Sequence, residues 1–214
     1  MTTQDASIKT TDVKASRTSR FFHGVWLGYT YQAIVMAVGV WLTPFLLKHI
    51  GQRDYGLWLV GTQLLMYLGL LDVGILTILP REAASAVGRT SEADRPQQLS
   101  LLFGHMIRLI LFQMPLVILG VVGAWVFLPS DWASFRGPIA VSMAAFVVAF
   151  PLQIFQSFLP GLQDFKFLGQ AQIVVWFGST IATITLVLAG FGLFALAIGW
   201  SITQIGTVAV AMFR

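Results

Sequence analysis

Apolar residues arrive in six long runs, roughly 22–47, 56–79, 101–128, 138–159, 170–189 and 192–213, with polar residues gathered between them. A helix crossing the hydrocarbon core of a bilayer needs about 20 apolar residues, and each run is long enough. The pattern predicts an all-α, polytopic bundle of six transmembrane helices over residues 21–214. The last two runs need an argument, because residues 173–212 are nearly unbroken. A single helix of about 40 residues would be about 60 Å long, twice the core thickness. Gly190-Phe191-Gly192 is where the chain can reverse, so a tight helical hairpin is expected there. The third run is ambiguous at its start. Residues 109–128 alone would cross, and Pro96-Gln97-Gln98-Leu99-Ser100 would then open a helix with proline in its first turn.

Composition strengthens the membrane reading. Hydrophobic residues make up 57% of the 214 and charged residues 10%, with a mean hydropathy of +0.79. A soluble domain carries about a quarter charged residues, so this chain cannot cover its own surface and the lipid bilayer must. There is no cysteine, which excludes a disulfide framework and a thiolate metal site, and no cofactor is expected. The pI of about 9.8 would suit nucleic acid in isolation. The basic residues sit at the ends of runs, however, which fits orientation in a membrane and no nucleic-acid partner. Residues 1–20 are polar and are read as a disordered cytoplasmic tail. They are not a cleaved signal, since the run that follows is too long for one and no small-residue cleavage site follows it.

Six spans put both termini on one side. With the N-terminus inside, nine of the thirteen Lys and Arg residues face the cytoplasm: Lys9, Lys14, Arg17, Arg20, Arg81, Arg89, Arg95, Lys166 and Arg214. Lys48, Arg53 and Arg136 fall outside, and Arg108 is undecided. That asymmetry predicts an N-in, C-in topology. Trp58, Trp125 and Trp132 would then lie in an outer aromatic belt and Trp26 in an inner one. The last residues, "AVAMFR", follow a span directly, so a longer reading frame is expected, or else a partner chain that supplies a second helical bundle.

Residues 42–89, "LTPFLLKHIGQRDYGLWLVGTQLLMYLGLLDVGILTILPREAASAVGR", resemble the start of the polysaccharide and O-antigen flippases. These belong to the multidrug, oligosaccharidyl-lipid and polysaccharide exporter superfamily. The features are a first span ending in "PFLL", the turn "IGQRDYGLW", then "LLDVG" and a basic residue at the inner end of span two. "FQSFLPGLQDFKFLGQAQ", residues 155–172, is similar to that family's connection between spans four and five. The resemblance covers roughly a third of the chain. It implies the N-terminal half of a transporter of about twelve to fourteen helices that works by alternating access between two bundles. The implied location is the cell inner membrane. The implied substrate is a polyprenyl-diphosphate-linked oligosaccharide for O-antigen, capsule or exopolysaccharide synthesis, and the implied driving ion is a proton or sodium.

Asp72 is the residue that most needs a reason. A charged Asp in the middle of a lone membrane helix costs about 2.5–3.5 kcal/mol, so it should face protein or water. It is read either as a protonatable or cation-coupled site, or as a structural acid that pairs with Arg81 or caps a distorted helix, with Gly74 allowing the distortion. Arg81 would grip a lipid diphosphate at the cytoplasmic mouth or serve as a headgroup anchor. Arg108, one turn from His105, would meet an anionic substrate inside the bundle, or snorkel at the interface if the third span starts at Leu109. Gln153 and Gln156 share a face of the fourth span and would bond sugar hydroxyls or neighbouring helices. Gln32, Gln63 and Gln113 add single amides that should also face inward. Pro44, Pro115, Pro151 and Pro160 mark kinks or ends. Gly24-x-x-x-Gly28 and Ala195-x-x-x-Gly199 allow close packing. Residues 80–100 read as a solvated, mixed-charge loop.

Three other functions stay open. A cation-coupled exporter of small molecules is close to the first reading. A non-transporting half-size membrane subunit would fit the short length. A membrane enzyme is disfavoured, since the chain has no paired-carboxylate constellation and no H-E-x-x-H motif.

Overall fold

The computed structural model describes residues 29–72, 74–89, 94–160 and 165–212. Among these there is no strand, and seven α-helices follow one another: α1 (Tyr29–Ile50), α2 (Gln52–Gly69), α3 (Ile75–Arg89), α4 (Arg95–Val126), α5 (Ala133–Phe158), α6 (Phe165–Leu188) and α7 (Leu193–Met212). Single 3-10 turns, Leu70–Asp72 and Ser130–Trp132, precede α3 and α5. Five helices are long and apolar enough to cross a membrane, and α2 with α3 makes a sixth span if that bent pair is counted as one. The polar tail 1–20, Trp26, the Gly24–Gly28 pair and Arg214 lie outside the described residues.

The chain divides into two units, Met1–Leu42 and Thr43–Arg214. The boundary falls inside α1. The described part of the first unit is helical throughout. The second unit is built around α5, which packs against α2, α3, α4 and α7. Its sequence explains why. Phe135, Ile139, Met143, Phe146, Phe150 and Ile154 recur every three or four residues and are buried. Pro138, Ser142, Ala145 and Ala149 fill the adjoining positions. A helix apolar on nearly every side has no solvent face to offer and becomes the centre of the packing.

Glycines set the registers between neighbours. A Cβ on Gly199 of α7 would overlap the Thr183 hydroxyl of α6, and one on Gly206 would overlap Val175. These two pairs run in opposite directions along α6 and α7, so the helices form an antiparallel hairpin with closely approaching backbones. Gly61 of α2 lies against the Phe135 ring, and Gly137 of α5 against Phe194 of α7. The second contact joins the N-terminal ends of α5 and α7, so those two run parallel. α4 reaches Asp72 with Gln113 and, further along, Leu68 with Gly120, so it runs against α2. Phe103 near the start of α4 stacks on Phe155 and Phe158 at the end of α5, with ring centroids 5.1 and 5.6 Å apart, so α4 runs the other way.

The α6–α7 turn forms where it was expected. Gly190 (φ 84°) and Gly192 (φ 54°) take left-handed backbone. The Gly190 N–H donates to Val187 O at 3.0 Å and the Phe191 N–H to Leu186 O at 3.1 Å. This is a Schellman pair, which closes the free carbonyls at the end of α6.

Three expectations are corrected. The second run, 56–79, is not one straight helix: α2 stops at Gly69, and the chain resumes as α3 at a bend of 48°. Residues 80–89 and 95–100 are not loop, because α3 continues to Arg89 and α4 begins at Arg95. The spacing of buried Leu79 and Ala83 and the helix-forming Glu82-Ala83-Ala84 explain the continuation. Trp58 is buried at 7% exposure and is no belt residue, whereas Trp125 is 39% exposed and Trp132 sets its ring edge-on to Phe135. The alternative in which Pro96 opens the third helix holds. α4 is a continuous 32 residues with proline in its first turn, about 48 Å at the helical rise.

Candidate functional site: a broken helix and a polar cleft

The chemistry of the second unit centres on the break between α2 and α3. After Gly69 the chain tightens into the 3-10 turn Leu70–Asp72. Gly74 then takes φ 80°, a left-handed conformation that L side chains rarely adopt. The Asp72 Oδ1 accepts a 2.8 Å hydrogen bond from the Gly74 N–H, an Asx turn. The Gly74 carbonyl in turn accepts from Thr77 N–H and Ile78 N–H, both at 3.1 Å, which starts α3. The partly buried carboxyl thus takes the place of a helix cap at the break, and its charge lies at the positive end of α3. Its partner is Gly74 and not Arg81, which is exposed on α3. Of the two structural roles open to Asp72, capping is the one observed.

α4 closes the other side of the break. Ile110, Gln113, Val117 and Gly120 form one stripe along it, with Ile110 and Val117 fully buried. A Cβ on Gly120 would overlap Leu71 and press on Leu68, so α4 passes directly under the turn. About two turns further toward the α4 N-terminus, the Gln113 Nε2 donates to the Asp72 carbonyl oxygen at 3.0 Å. The Oε1 of the same amide is buried with no hydrogen-bond partner among the described residues. Gln113 therefore does what an amide among apolar helices is expected to do, yet only half of it is satisfied. Gln63, by contrast, is exposed on α2 and does not face inward.

The remaining candidates lie in the half of the unit beyond the break. Arg108 is exposed on α4, five residues, or about 7.5 Å, toward the middle from the Phe103 cluster. It does not point into the packed interior. His105 Nδ1 lies 2.8 Å from the Leu101 carbonyl oxygen of its own helix. Gln153 and Gln156 are half-buried on the end of α5 that carries Phe155 and Phe158. Neither makes a hydrogen bond to another described residue, so they do not glue helices together as Gln113 does. No hydrogen bond or ion pair among the described residues joins Asp72, Arg81, Arg108, Gln153 and Gln156 to one another. They share one half of the unit and are not a single cluster.

A cleft of about 390 Å³ opens where α3 ends and α4 begins, lined by Glu82, Ser85, Ala86, Arg89, Gln98, Leu101 and Leu102. Reading residues 80–100 as a loop hid this cleft. As two helices, the same residues set an acid, a guanidinium, a hydroxyl and an amide around one opening beside Arg81. Among the described residues there is no group of three or more His, Cys, Asp or Glu able to hold a metal ion.

No family model matches the chain, and neither a curated protein nor a solved structure does.

Proposed function

We propose that this chain is one bundle of a flippase-type transporter in a cell inner membrane, moving a lipid-linked oligosaccharide from one leaflet to the other. The observation that carries the reading is the break in the second span beside Asp72 and Gln113. Irregular backbone at membrane depth is tolerated only where it is buried in protein or lines a watery cavity. Transporters place such discontinuous helices at their binding sites. The half-buried, unbonded amides of Gln153 and Gln156 are suited to sugar hydroxyls, and Arg81 and Arg89 beside the cleft to a diphosphate. The resemblance of residues 42–89 and 155–172 supplies the substrate class. A second bundle, in the same longer chain or in a partner, completes the cavity. Deleting the gene is expected to deplete surface polysaccharide and leave its lipid-linked precursor on the inner leaflet. Undiminished polysaccharide without precursor build-up counts against the reading.

The topology that goes with it is N-in and C-in. Helix directions place the 127–132 and 189–192 turns at one end of the second unit and the ends of α3, α5 and α7 at the other. Arg81, Arg89 and the start of α4 belong to the second end, which the proposal sets in the cytoplasm. Because the sequence has no cysteine, single cysteines report side directly. Asp131→Cys is expected to react with an impermeant maleimide on intact cells, and Glu82→Cys only after the membrane is opened. Equal labelling of both on intact cells would refute this orientation.

One observation favours a second reading, a non-transporting half-size subunit. The Asp72 carboxyl already has a structural task as the cap of α3. The charge-neutral Asn substitution argued in the Discussion separates the two.

A further inference from the structure

We propose that the cleft between the end of α3 and the start of α4 holds the headgroup of a bilayer aminophospholipid, its phosphate on Arg89 and its ammonium on Glu82. The inference rests on the membrane placement within the proposed function and not on transport. Its occupant is a resident lipid of the bilayer, not the lipid that is moved.

Two facing helices bring the lining together. Glu82, Ser85 and Arg89 follow one another at intervals of three and four residues, one face of α3, and Gln98, Leu101 and Leu102 answer from α4. All six border one opening of about 390 Å³. That volume is at the low end for small-molecule sites, about 300–1,000 Å³, and admits a headgroup but not an oligosaccharide. Glu82 and Arg89 are exposed and two turns apart, about 10.5 Å at the helical rise. Among the described residues neither forms an ion pair. The cleft thus offers one negative and one positive group, a hydroxyl between them and leucines on the opposite wall. A bare phosphate would be held by Arg89 and repelled by Glu82. A phosphate that carries its own ammonium satisfies both, and its acyl chains have the leucines to lie on. Arg81 does not line the cleft and stays available to the transported substrate.

Depth gives the same answer. α4 is 32 residues long, about 48 Å, against about 30 Å for the hydrocarbon core and 40–45 Å with headgroups. Exposed Trp125 near its end marks one edge of the core. About 20 residues back, the length that crosses, lies His105. Leu101 and Leu102 fall about 5–6 Å beyond that edge, inside a headgroup layer about 5–8 Å deep. Arg108, exposed just within the edge, can extend its guanidinium to the same layer. The 48° bend carries α3 off the line of α2, so Glu82 and Arg89 differ in lateral position as well as depth. Helical side chains tilt toward the N-terminus of their helix, which brings the Arg89 guanidinium back toward Ser85 and the bilayer.

The test uses the full chain in detergent micelles with phosphatidylethanolamine, phosphatidylcholine or phosphatidylglycerol added, and counts bound lipid by native mass spectrometry. Phosphatidylethanolamine is expected to bind saturably and more tightly than the other two, a comparison that needs no variant. Glu82→Gln should weaken phosphatidylethanolamine about tenfold, as loss of a charge-assisted hydrogen bond does, and leave phosphatidylglycerol undiminished. Arg89→Gln should weaken both lipids. Both positions are exposed, so both variants should melt as the parent does. Glycerophosphoethanolamine, the headgroup without chains, should compete poorly. Phosphatidylethanolamine binding undiminished in Glu82→Gln overturns the site, and so does phosphatidylcholine or phosphatidylglycerol bound as tightly by the parent. Full competition by glycerophosphoethanolamine at equal concentration would make the ligand a soluble phosphate ester and overturn the lipid. Each of those failures leaves the flippase reading to the gene deletion, which is read out on surface polysaccharide.

Discussion

Replacing Gly199 by leucine is expected to drive α7 off α6 and cost most of the folded protein. A Cβ at this position would already overlap the Thr183 hydroxyl, with the Ser179 carbonyl in van der Waals contact beside it. Neither neighbour can retreat. Thr183 Oγ1 is held by a 2.8 Å bond to that same Ser179 carbonyl oxygen, and Thr183 is buried. Side chains added to a packed interior cost about 1–3 kcal/mol and occasionally more. The added isobutyl group reaches further than that Cβ into the same contact, which puts Gly199→Leu at about 3 kcal/mol, the top of that range. In a bilayer the loss is felt as packing, because lipid tails solvate leucine as well as protein does. Melting in detergent and the yield of monodisperse protein measure it. Gly178→Leu is the control on the facing helix. Gly178 is exposed with open space where its Cβ would go, so it should stay within about 0.5 kcal/mol of the parent. The smaller Gly199→Ala should be partly rescued by Thr183→Ala, as contacting residues couple. A Gly199→Leu protein as stable as the Gly178→Leu control would mean that α6 and α7 do not meet here.

The same pair of helices shows how much the sequence disclosed. Residues 173–212 carry no charge to divide them, yet length alone required a reversal, and Gly190 and Gly192 were the residues able to make it. Ala195 and Gly199 were visible as a small-residue pair, and the structure buries both. Identifying their partner required the fold, since nothing in sequence joins position 199 to position 183. The break at Asp72 was half legible. The run from Leu57 to Leu79 has the same hydropathy whether the helix is straight or bent, so periodicity could not reveal it. The local signal was chemical: an Asp two residues before a Gly can form an Asx turn with the glycine left-handed. Gln113 was named only as one amide among several. Its importance comes from a contact 41 residues away in sequence, beyond any local pattern. Arg108 was harder still. A cation on a long apolar helix has the same sequence signature whether it faces a cavity or snorkels, and its exposure on a continuous α4 answers only the question of packing.

Exchanging Asp72 for asparagine is expected to leave the protein folded and to cut flipping about tenfold or more, about 1.4 kcal/mol in the transport step. The reasoning turns on which property of the side chain each task uses. Capping α3 needs one acceptor oxygen aimed at the Gly74 N–H, and asparagine supplies it as well as aspartate does. Alanine supplies none, so Asp72→Ala should lose about 1 kcal/mol of stability and fray the start of α3. A coupling role needs the charge, which asparagine removes while holding the turn. The two substitutions therefore separate what one structure superimposes. If the carboxyl is only a cap, Asp72→Asn should match the parent in both abundance and flipping while Asp72→Ala falls in both. If the charge does the coupling, Asp72→Asn should match the parent in abundance and fall to the level of Asp72→Ala in flipping. Parental flipping by Asp72→Asn in vesicles carrying a labelled lipid-linked oligosaccharide would take Asp72 out of the transport mechanism and leave it as the residue that lets a helix bend by 48°. Gly74, at φ 80°, makes that bend possible in either case.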